Sequence, residues 1–177
     1  MPVAIRTTAV LIAAVFLLAG CSSSAESTGV TLAETKSPVQ LLRNELADRI
    51  DDSVVSELLI ANDKSTACRT PEADPEGLQR SWESTARVEL VEGTDPKAVI
   101  EELVGGFVDQ GWERGTYGTA SIIELTRPGN DSEIHLSSKK PNEETGAPGE
   151  IQIGVGGPCV MTAGADSDEV RALESAG

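Results

Sequence analysis

The chain has very few of the side chains from which catalytic and metal sites are most often built. It contains one histidine and three cysteines in 177 residues. Any Ser-His-Asp or Cys-His arrangement must therefore use His135, which alternates with Ile134 and Leu136 and so belongs on the polar face of a strand. We interpret His135 as a solvated strand histidine, and we expect no catalytic residue, no metal ligand and no cofactor site.

Aromatic side chains are also scarce, with two tryptophans, two phenylalanines and one tyrosine. Tryptophan is large enough to dominate the packing of a small core. We therefore expect Trp82 and Trp112 to anchor the core where helix and sheet meet. The alternative is that they form an exposed aromatic platform for a ligand.

Basic residues are outnumbered by acidic ones, at 14 lysines and arginines against 29 aspartates and glutamates, for a net charge of −15. A chain of this charge repels nucleic acid and anionic lipid headgroups. We expect no nucleic-acid partner. Any attachment to a membrane must come from something other than a basic patch.

The apolar run Ala9–Leu18 is too short to cross a bilayer, which takes roughly 20 residues. It follows the basic Arg6 and therefore has the form of a secretory signal. It ends in Leu18-Ala19-Gly20-Cys21, which resembles the lipobox of bacterial lipoproteins. We predict that residues 1–20 are a signal peptide, that acyl chains such as palmitate on Cys21 anchor the protein, and that it lies on the extracytoplasmic face of the cell membrane. The alternative is an ordinary signal peptide with a chance cysteine.

With Cys21 lipidated, Cys68 and Cys159 are the remaining thiols. An exported compartment permits disulfides, and two cysteines allow one intramolecular bridge. The alternatives are a metal site or two free thiols, although two distant cysteines and one histidine make a poor zinc set. We predict a disulfide between Cys68 and Cys159.

Composition divides the mature chain into three parts. Residues 21–36 are small, polar and aperiodic, which is typical of a flexible tether. Residues 37–161 carry the periodic apolar pattern of one α+β lipoprotein domain. Residues 162–177 form a C-terminal tail that is either a frayed helix or disordered.

Apolar residues at spacings of three and four predict a helix that begins at Ser37, the N-cap, with Pro38 in the first helical position. Its buried face consists of Val39, Leu42, Leu46 and Ile50. Residues 54–60 then favour a further turn or two of helix, with a short strand as the alternative. Residues 66–77 favour a loop that carries Cys68.

Alternation of apolar and polar residues predicts most of the strands. The alternating segments are 81–91, 120–127, 133–138 and 150–155, and residues 112–116 are a short extended candidate. A helix capped by Thr94 or Asp95, with Pro96 in its first turn, follows the first strand and ends at Gly111. Its apolar face consists of Ile100, Leu103, Val104, Phe107 and Val108.

Short turns and one long loop join the later strands. Residues 128–131 form a turn, residues 139–149 an exposed loop, and the glycines at 154, 156 and 157 a turn that leads into Pro158. This order of elements predicts an α+β fold, an antiparallel sheet of about four strands with two helices packed on one face.

The order of these parts resembles a known group of proteins. The parts are, in order, a lipobox, an N-terminal helix, a cysteine loop, a Trp-led strand, an Asp-Pro helix ending in Gly111-Trp112, a β-meander and a closing Gly157-Pro158-Cys159-Val160. In this order they look like the small LppA-like lipoproteins of mycobacteria and related actinobacteria. The similarity covers most of residues 18–161. It implies a Cys68 to Cys159 bridge and supports the predicted fold and membrane localisation. The group has no settled biochemical activity, so the resemblance implies no function for this chain.

These patterns favour a membrane-anchored envelope lipoprotein that is not an enzyme and that acts as a binding or interaction module for an envelope protein or small ligand. One alternative is a carrier of a lipid or small molecule in a cavity between helices and sheet. The other is a hydrolase that uses paired carboxylates. The pairs available to it are Asp51-Asp52, Glu101-Glu102, Glu143-Glu144 and the acids of Asp166-Ser167-Asp168-Glu169.

Overall fold

The computed structural model describes residues 29–116 and 122–175, so the predicted signal peptide and Cys21 lie outside the described residues. The helices are α1 (Leu32–Asp48), α2 (Pro96–Val108) and α3 (Asp168–Ser175), with one 3-10 turn at Asp52–Val54. The strands are β1 (Val55–Ala67), β2 (Gln79–Leu90), β3 (Glu113–Thr116), β4 (Ile122–Arg127), β5 (Asn130–Lys139), β6 (Glu150–Gly156) and β7 (Val160–Met161). Within these two ranges no helix has the length and apolar character needed to cross a membrane.

In the described residues, the strands form one seven-stranded sheet in the order β1-β2-β6-β5-β4-β3, with β7 paired to the beginning of β2. Every pairing is antiparallel. The predicted α+β class is therefore confirmed, but the expected four strands and two helices are too few. The extra elements are either very short, as in β7, or lie at a sheet edge where one-sided burial gives no clear alternation, as in β1.

Helix α1 begins six residues before the predicted start, at Leu32 instead of Pro38. Thr31 is the N-cap: its hydroxyl accepts from the Glu34 N–H, and the Glu34 carboxylate accepts from the Thr31 N–H at 2.8 Å. This capping box, with the buried Leu32, offsets the backbone hydrogen bond that Pro38 removes inside the helix. The predicted tether of residues 21–36 therefore overlaps the first helix.

Strand β1 replaces the helical turns favoured for residues 54–60, and it continues to Ala67, into the predicted loop. Its register with β2 shifts between Ile60 and Asn62. Such a bulge interrupts the two-residue alternation of apolar and polar side chains, and the residues that follow are mostly polar. The sequence of β1 therefore lacks the pattern that predicts a strand. The short-strand alternative was the better one, although the strand is much longer than expected.

The core lies between the three helices and one face of the sheet. Trp82 and Trp112 are buried in it, at 0 % and 4 % exposure, so the expectation of core anchors is confirmed and the exposed platform is wrong. Helix α2 begins as predicted, with Asp95 as N-cap and Pro96 in the first turn. Four of the five residues predicted for its apolar face are buried, whereas Val108 at the end of the helix is 43 % exposed.

Of the two alternatives for residues 162–177, the helix is the better one, since Asp168–Ser175 form α3, which lies beside α1. Val170 is buried, and the Leu173 carbonyl accepts a 2.7 Å hydrogen bond from Lys36 Nζ. The Glu174 carboxylate accepts from the hydroxyl of Ser65 on β1, also at 2.7 Å. The folded unit thus extends beyond the predicted 37–161 at both ends.

Candidate functional site

The second face of the sheet carries no helix in the described part of the chain. Side chains that alternate with the core residues point to this open face from β2, β6 and β5. Two cross-strand rows define its centre: Glu83, Gly156 and Glu133 form one row, and Thr85, Gly154 and His135 form the other. His135 is thus on the polar face, as predicted, with Ile134 and Leu136 fully buried on the other side.

A groove of about 760 Å³ runs across this open face. Its floor is made by the two rows just described. One wall is formed by the Cys68 and Cys159 segments, and the other side is bounded by Asn130 and Asp131 at the start of β5. The groove lies within the size range of pockets that bind small ligands or peptide side chains.

The predicted disulfide is present in this wall and joins Cys68 to Cys159, with their Cα atoms 6.1 Å apart. Cys68 immediately follows β1, and its N–H donates to the carbonyl of Gln79 at the start of β2. Cys159 lies between β6 and β7. The crosslink therefore fixes the two chain segments that flank β2 and holds the wall of the groove in place.

Two glycines leave the floor of the groove without bulky side chains. Gly154 and Gly156 lie within β6, so the predicted glycine turn is in fact largely strand. A Cβ atom added at Gly156 would meet nothing within 4 Å, and one added at Gly154 would make ordinary contacts with His135 and Thr85. Larger side chains at position 156 would therefore project into the groove without a clash against the fold.

The groove is acidic. Among the described residues that line it, Glu83, Asp131 and Glu133 carry carboxylates, and none is a lysine or arginine. The histidine at position 135 is the one lining side chain there that can carry positive charge. In a site walled by protein, such a surface attracts cationic groups.

His135 also belongs to a compact cluster with Glu124 and Glu133. Its Nε2 atom lies 3.7 Å from Glu124 Oε1 and 3.9 Å from Glu133 Oε2. One ligand atom from each of the three residues lies within 4.8 Å of the other two. An imidazole and two carboxylates grouped in this way are donors of the kind that hold a metal ion.

The carboxylate pairs predicted from the sequence consist of acids that are adjacent in the chain, and none of those pairs lines the groove. All are exposed and lie at the 3-10 turn, on α2, on the β5 to β6 loop or at α3: Asp51, Asp52, Glu101, Glu102, Glu143, Glu144, Asp166, Asp168 and Glu169. The relevant signal was instead the spacing of Glu133 and His135 on one face of a strand, with Glu124 on the preceding strand of the same hairpin.

Five carboxylates of the described residues, all outside the groove, have a lowered pKa: Glu34, Asp51, Glu72, Asp74 and Glu101. The causes at Asp74 and Glu101 are representative. The pKa of Asp74 is lowered mainly because its carboxylate accepts a 2.8 Å hydrogen bond from the Gln79 N–H. The pKa of Glu101 is lowered mainly by its hydrogen bonds with Arg114, at 2.6 and 2.9 Å, and the same bonds raise the pKa of Arg114. Both carboxylates therefore remain charged in mildly acidic solution.

The space between α2 and the sheet is occupied by apolar side chains. None of those that meet there is more than 5 % exposed: Ile100, Leu103, Val104, Phe107, Leu125, Ile134, Leu136 and Ile153. Two further cavities, of about 620 and 430 Å³, lie beside the Cys68 loop and on the open face next to the groove. The groove and these cavities all lie outside the helix and sheet interface.

Comparison with known proteins returned no matching family model, no matching curated protein and no matching solved structure. The resemblance to LppA-like lipoproteins stays a prediction from the sequence.

Proposed function

We propose that this protein is a lipid-anchored envelope protein that binds a positively charged peptide segment of an envelope partner, without catalysis, in the groove on its open face. The observation that carries the proposal is the lining of the groove, which combines three carboxylates with a glycine floor and includes no lysine or arginine in the described residues. Charge complementarity of this kind speeds encounter and selects the partner by sign.

The shape of the groove supports an extended occupant. Gly154 and Gly156 leave backbone exposed at the centre of the floor, so a ligand chain can lie close to β6. Glu83 and Glu133 flank Gly156 from the two neighbouring strands. A lysine or arginine side chain over Gly156 would therefore meet a carboxylate on either side.

The two other functions considered from the sequence have less support. A lipid carrier would need a cavity where Ile100 and its neighbours meet the sheet, and that interface is lined by buried side chains. A hydrolase that uses acids adjacent in sequence would need a pair of them in one cleft. Among the described residues, Asp166 lines the cavity beside the Cys68 loop, but neither Asp168 nor Glu169 joins it there. The groove favours binding over either alternative.

The test replaces Gly156 with leucine, which fills the groove and leaves every charge unchanged. The full chain, purified in detergent, is titrated with a lysine-rich probe peptide and with a glutamate-rich peptide of equal length. We expect the lysine peptide alone to bind, more weakly as salt is added, because salt screens exposed charges beyond about 8 Å at physiological ionic strength. Gly156→Leu should weaken that binding by at least about tenfold, or roughly 1.4 kcal/mol.

Gly105→Leu provides the matched control, because a Cβ there also meets nothing within 4 Å but position 105 lies on α2, away from the groove. It should bind the lysine peptide like the unmodified protein. Equal binding by the unmodified protein and Gly156→Leu would show that the peptide recognises the overall charge, and the groove would lose its assigned role. Strong binding of the glutamate peptide would contradict the proposed sign of the ligand.

A further inference from the structure

The Glu124, Glu133 and His135 cluster has the composition and scaffold of a metal site. Glu124 and His135 are a cross-strand pair on β4 and β5, and Glu133 lies two residues before His135 on the same face of β5. Side chains held by paired strands keep their positions better than side chains on loops. The three donors therefore converge from a rigid part of the fold.

The distances in the cluster are close to those that a metal ion imposes. Tetrahedral zinc with bonds of about 2.0 to 2.2 Å places neighbouring ligand atoms roughly 3.3 to 3.6 Å apart. In this protein Nε2 of His135 is 3.7 and 3.9 Å from the two carboxylates, and all three donor atoms lie within 4.8 Å. To close the set around an ion, the two glutamate carboxylates must move closer to Nε2 of His135 and to each other.

The surroundings of the cluster also favour a cation. Within residues 29–116 and 122–175, the carboxylates of Glu124 and Glu133 both lie within 4 Å of the His135 imidazole. Glu133 and His135 line the acidic groove, whereas Glu124 does not, and the Nε2 atom of His135 is buried. A bound divalent ion would balance two carboxylates that otherwise repel each other.

We propose that Glu124, Glu133 and His135 bind one divalent transition-metal ion of the zinc class. Imidazole favours borderline ions such as Zn²⁺ over Mg²⁺ and Ca²⁺, which prefer oxygen ligands alone. Three protein ligands with open positions resemble a site that can still accept a ligand or water more than a closed structural site. This inference goes beyond the proposed peptide binding, since it needs no partner.

The test uses the untagged full chain in detergent, treated with a chelator, freed of the chelator and titrated with zinc chloride in a calorimeter. We expect saturable binding of one Zn²⁺ per chain. Because His135 is the one histidine of the chain, its imidazole signals in a nitrogen-proton correlation spectrum report ligation directly. These signals should shift with Zn²⁺ at the stoichiometry seen in the calorimeter, and they should stay in place with Mg²⁺.

His135→Ala and Glu124→Gln should each weaken Zn²⁺ binding by more than about tenfold, since even outer-shell partners of a metal contribute 10- to 100-fold. Glu83→Gln is the matched control: it removes one carboxylate from the same groove but outside the cluster, and it should change the affinity little. The site is overturned by the absence of saturable binding, by Zn²⁺ binding that leaves the His135 signals in place, or by equal affinity in His135→Ala. The peptide titration is read separately, so failure of the metal site is distinguishable from failure of the proposed function.

Discussion

The indole Nε1 of Trp82 donates a 2.6 Å hydrogen bond to Oδ1 of Asp63 on the neighbouring strand. The other oxygen of Asp63 accepts from the Gln40 side chain on α1. The ring of Trp82 is fully buried and lies under Lys36 Nζ, which is 4.6 Å from the ring centre. One carboxylate thus joins β1, β2 and α1 around the largest buried side chain.

Replacing Asp63 with alanine removes the acceptor for a buried indole N–H. A hydrogen bond to a charged group contributes about 1.5 to 3 kcal/mol, and we expect the free energy of unfolding to fall by this amount. Urea unfolding of the two proteins measures the difference. Asp63→Asn keeps an acceptor oxygen and should lose less, so equal losses in both variants would mean that the hydrogen bond is not the cause.

Reducing the Cys68 to Cys159 bridge should destabilise the domain, because the bridge joins residues separated by 91 positions. For a loop of that length, the loss of chain entropy in the unfolded state amounts to as much as about 4 to 5 kcal/mol. The measurement is the free energy of unfolding with and without reductant, beside a Cys68→Ser, Cys159→Ser double variant that should not respond to reductant. Mass spectrometry of the unreduced protein that found alkylated thiols at both Cys68 and Cys159 would contradict the bridge.

Cys21→Ala tests the predicted lipid anchor. Without the thiol no acyl chain can be attached, so we expect the protein to leave the membrane fraction or to accumulate as an uncut precursor. Fractionation and the mass of the mature chain distinguish these results from the unmodified protein. Cys68→Ser should remain in the membrane fraction, because its thiol belongs to the disulfide. A Cys21→Ala protein that is still processed and still requires detergent would refute the anchor.

The pair formed by Glu101 and Arg114 should make a small contribution to stability that depends on pH. Both side chains are more than 40 % exposed, so neutralising either one should cost about 0.2 to 1 kcal/mol at neutral pH. Hydrogen bonds from Arg114 lower the pKa of Glu101 in the folded state. The stabilisation is therefore complete above the unfolded pKa of a glutamate and is lost as the pH falls through the folded pKa.

Urea unfolding of Glu101→Gln and the unmodified protein, at neutral pH and in acid, measures this effect. The difference in stability should shrink in acid and also with added salt. Glu102→Gln neutralises the next residue on the same helix and provides the control. If the difference in unfolding free energy between the two proteins grew as the pH fell, the charged form of Glu101 would not be the one that stabilises the fold.

The sequence predicts best those parts of the fold where local signals agree with the packing. Helix α2 has a capping aspartate and a proline at its start, and β6 alternates Ile151, Ile153 and Val155 with polar residues or glycine. In both elements the same residues set the local geometry and fill the core. Strand β1 carries no such agreement, since its bulge and its exposed edge allow apolar and polar residues at almost any position.

The partners of His135 in the candidate site could not be predicted from the sequence, because the register between β4 and β5 contains an irregularity. A regular hairpin closed by the Pro128-Gly129 turn, with Arg127 opposite Asn130, would place Glu124 opposite Glu133. The register shift between Leu125 and Arg127 places it opposite His135 instead. The face on which His135 lies follows from alternation alone, but its partners follow only from the observed pairing.

The Cys68 to Cys159 crosslink makes the middle of this protein a covalent ring. The exposed loop at residues 140–149 lies inside that ring, between β5 and β6. A protease that cuts the loop therefore opens the ring without releasing a fragment, because the sulfur bridge still joins the two pieces. The nicked chain would migrate as one species without reductant and as two with it. New chain termini could also be introduced in this loop, because the disulfide would still hold the wall of the groove in place.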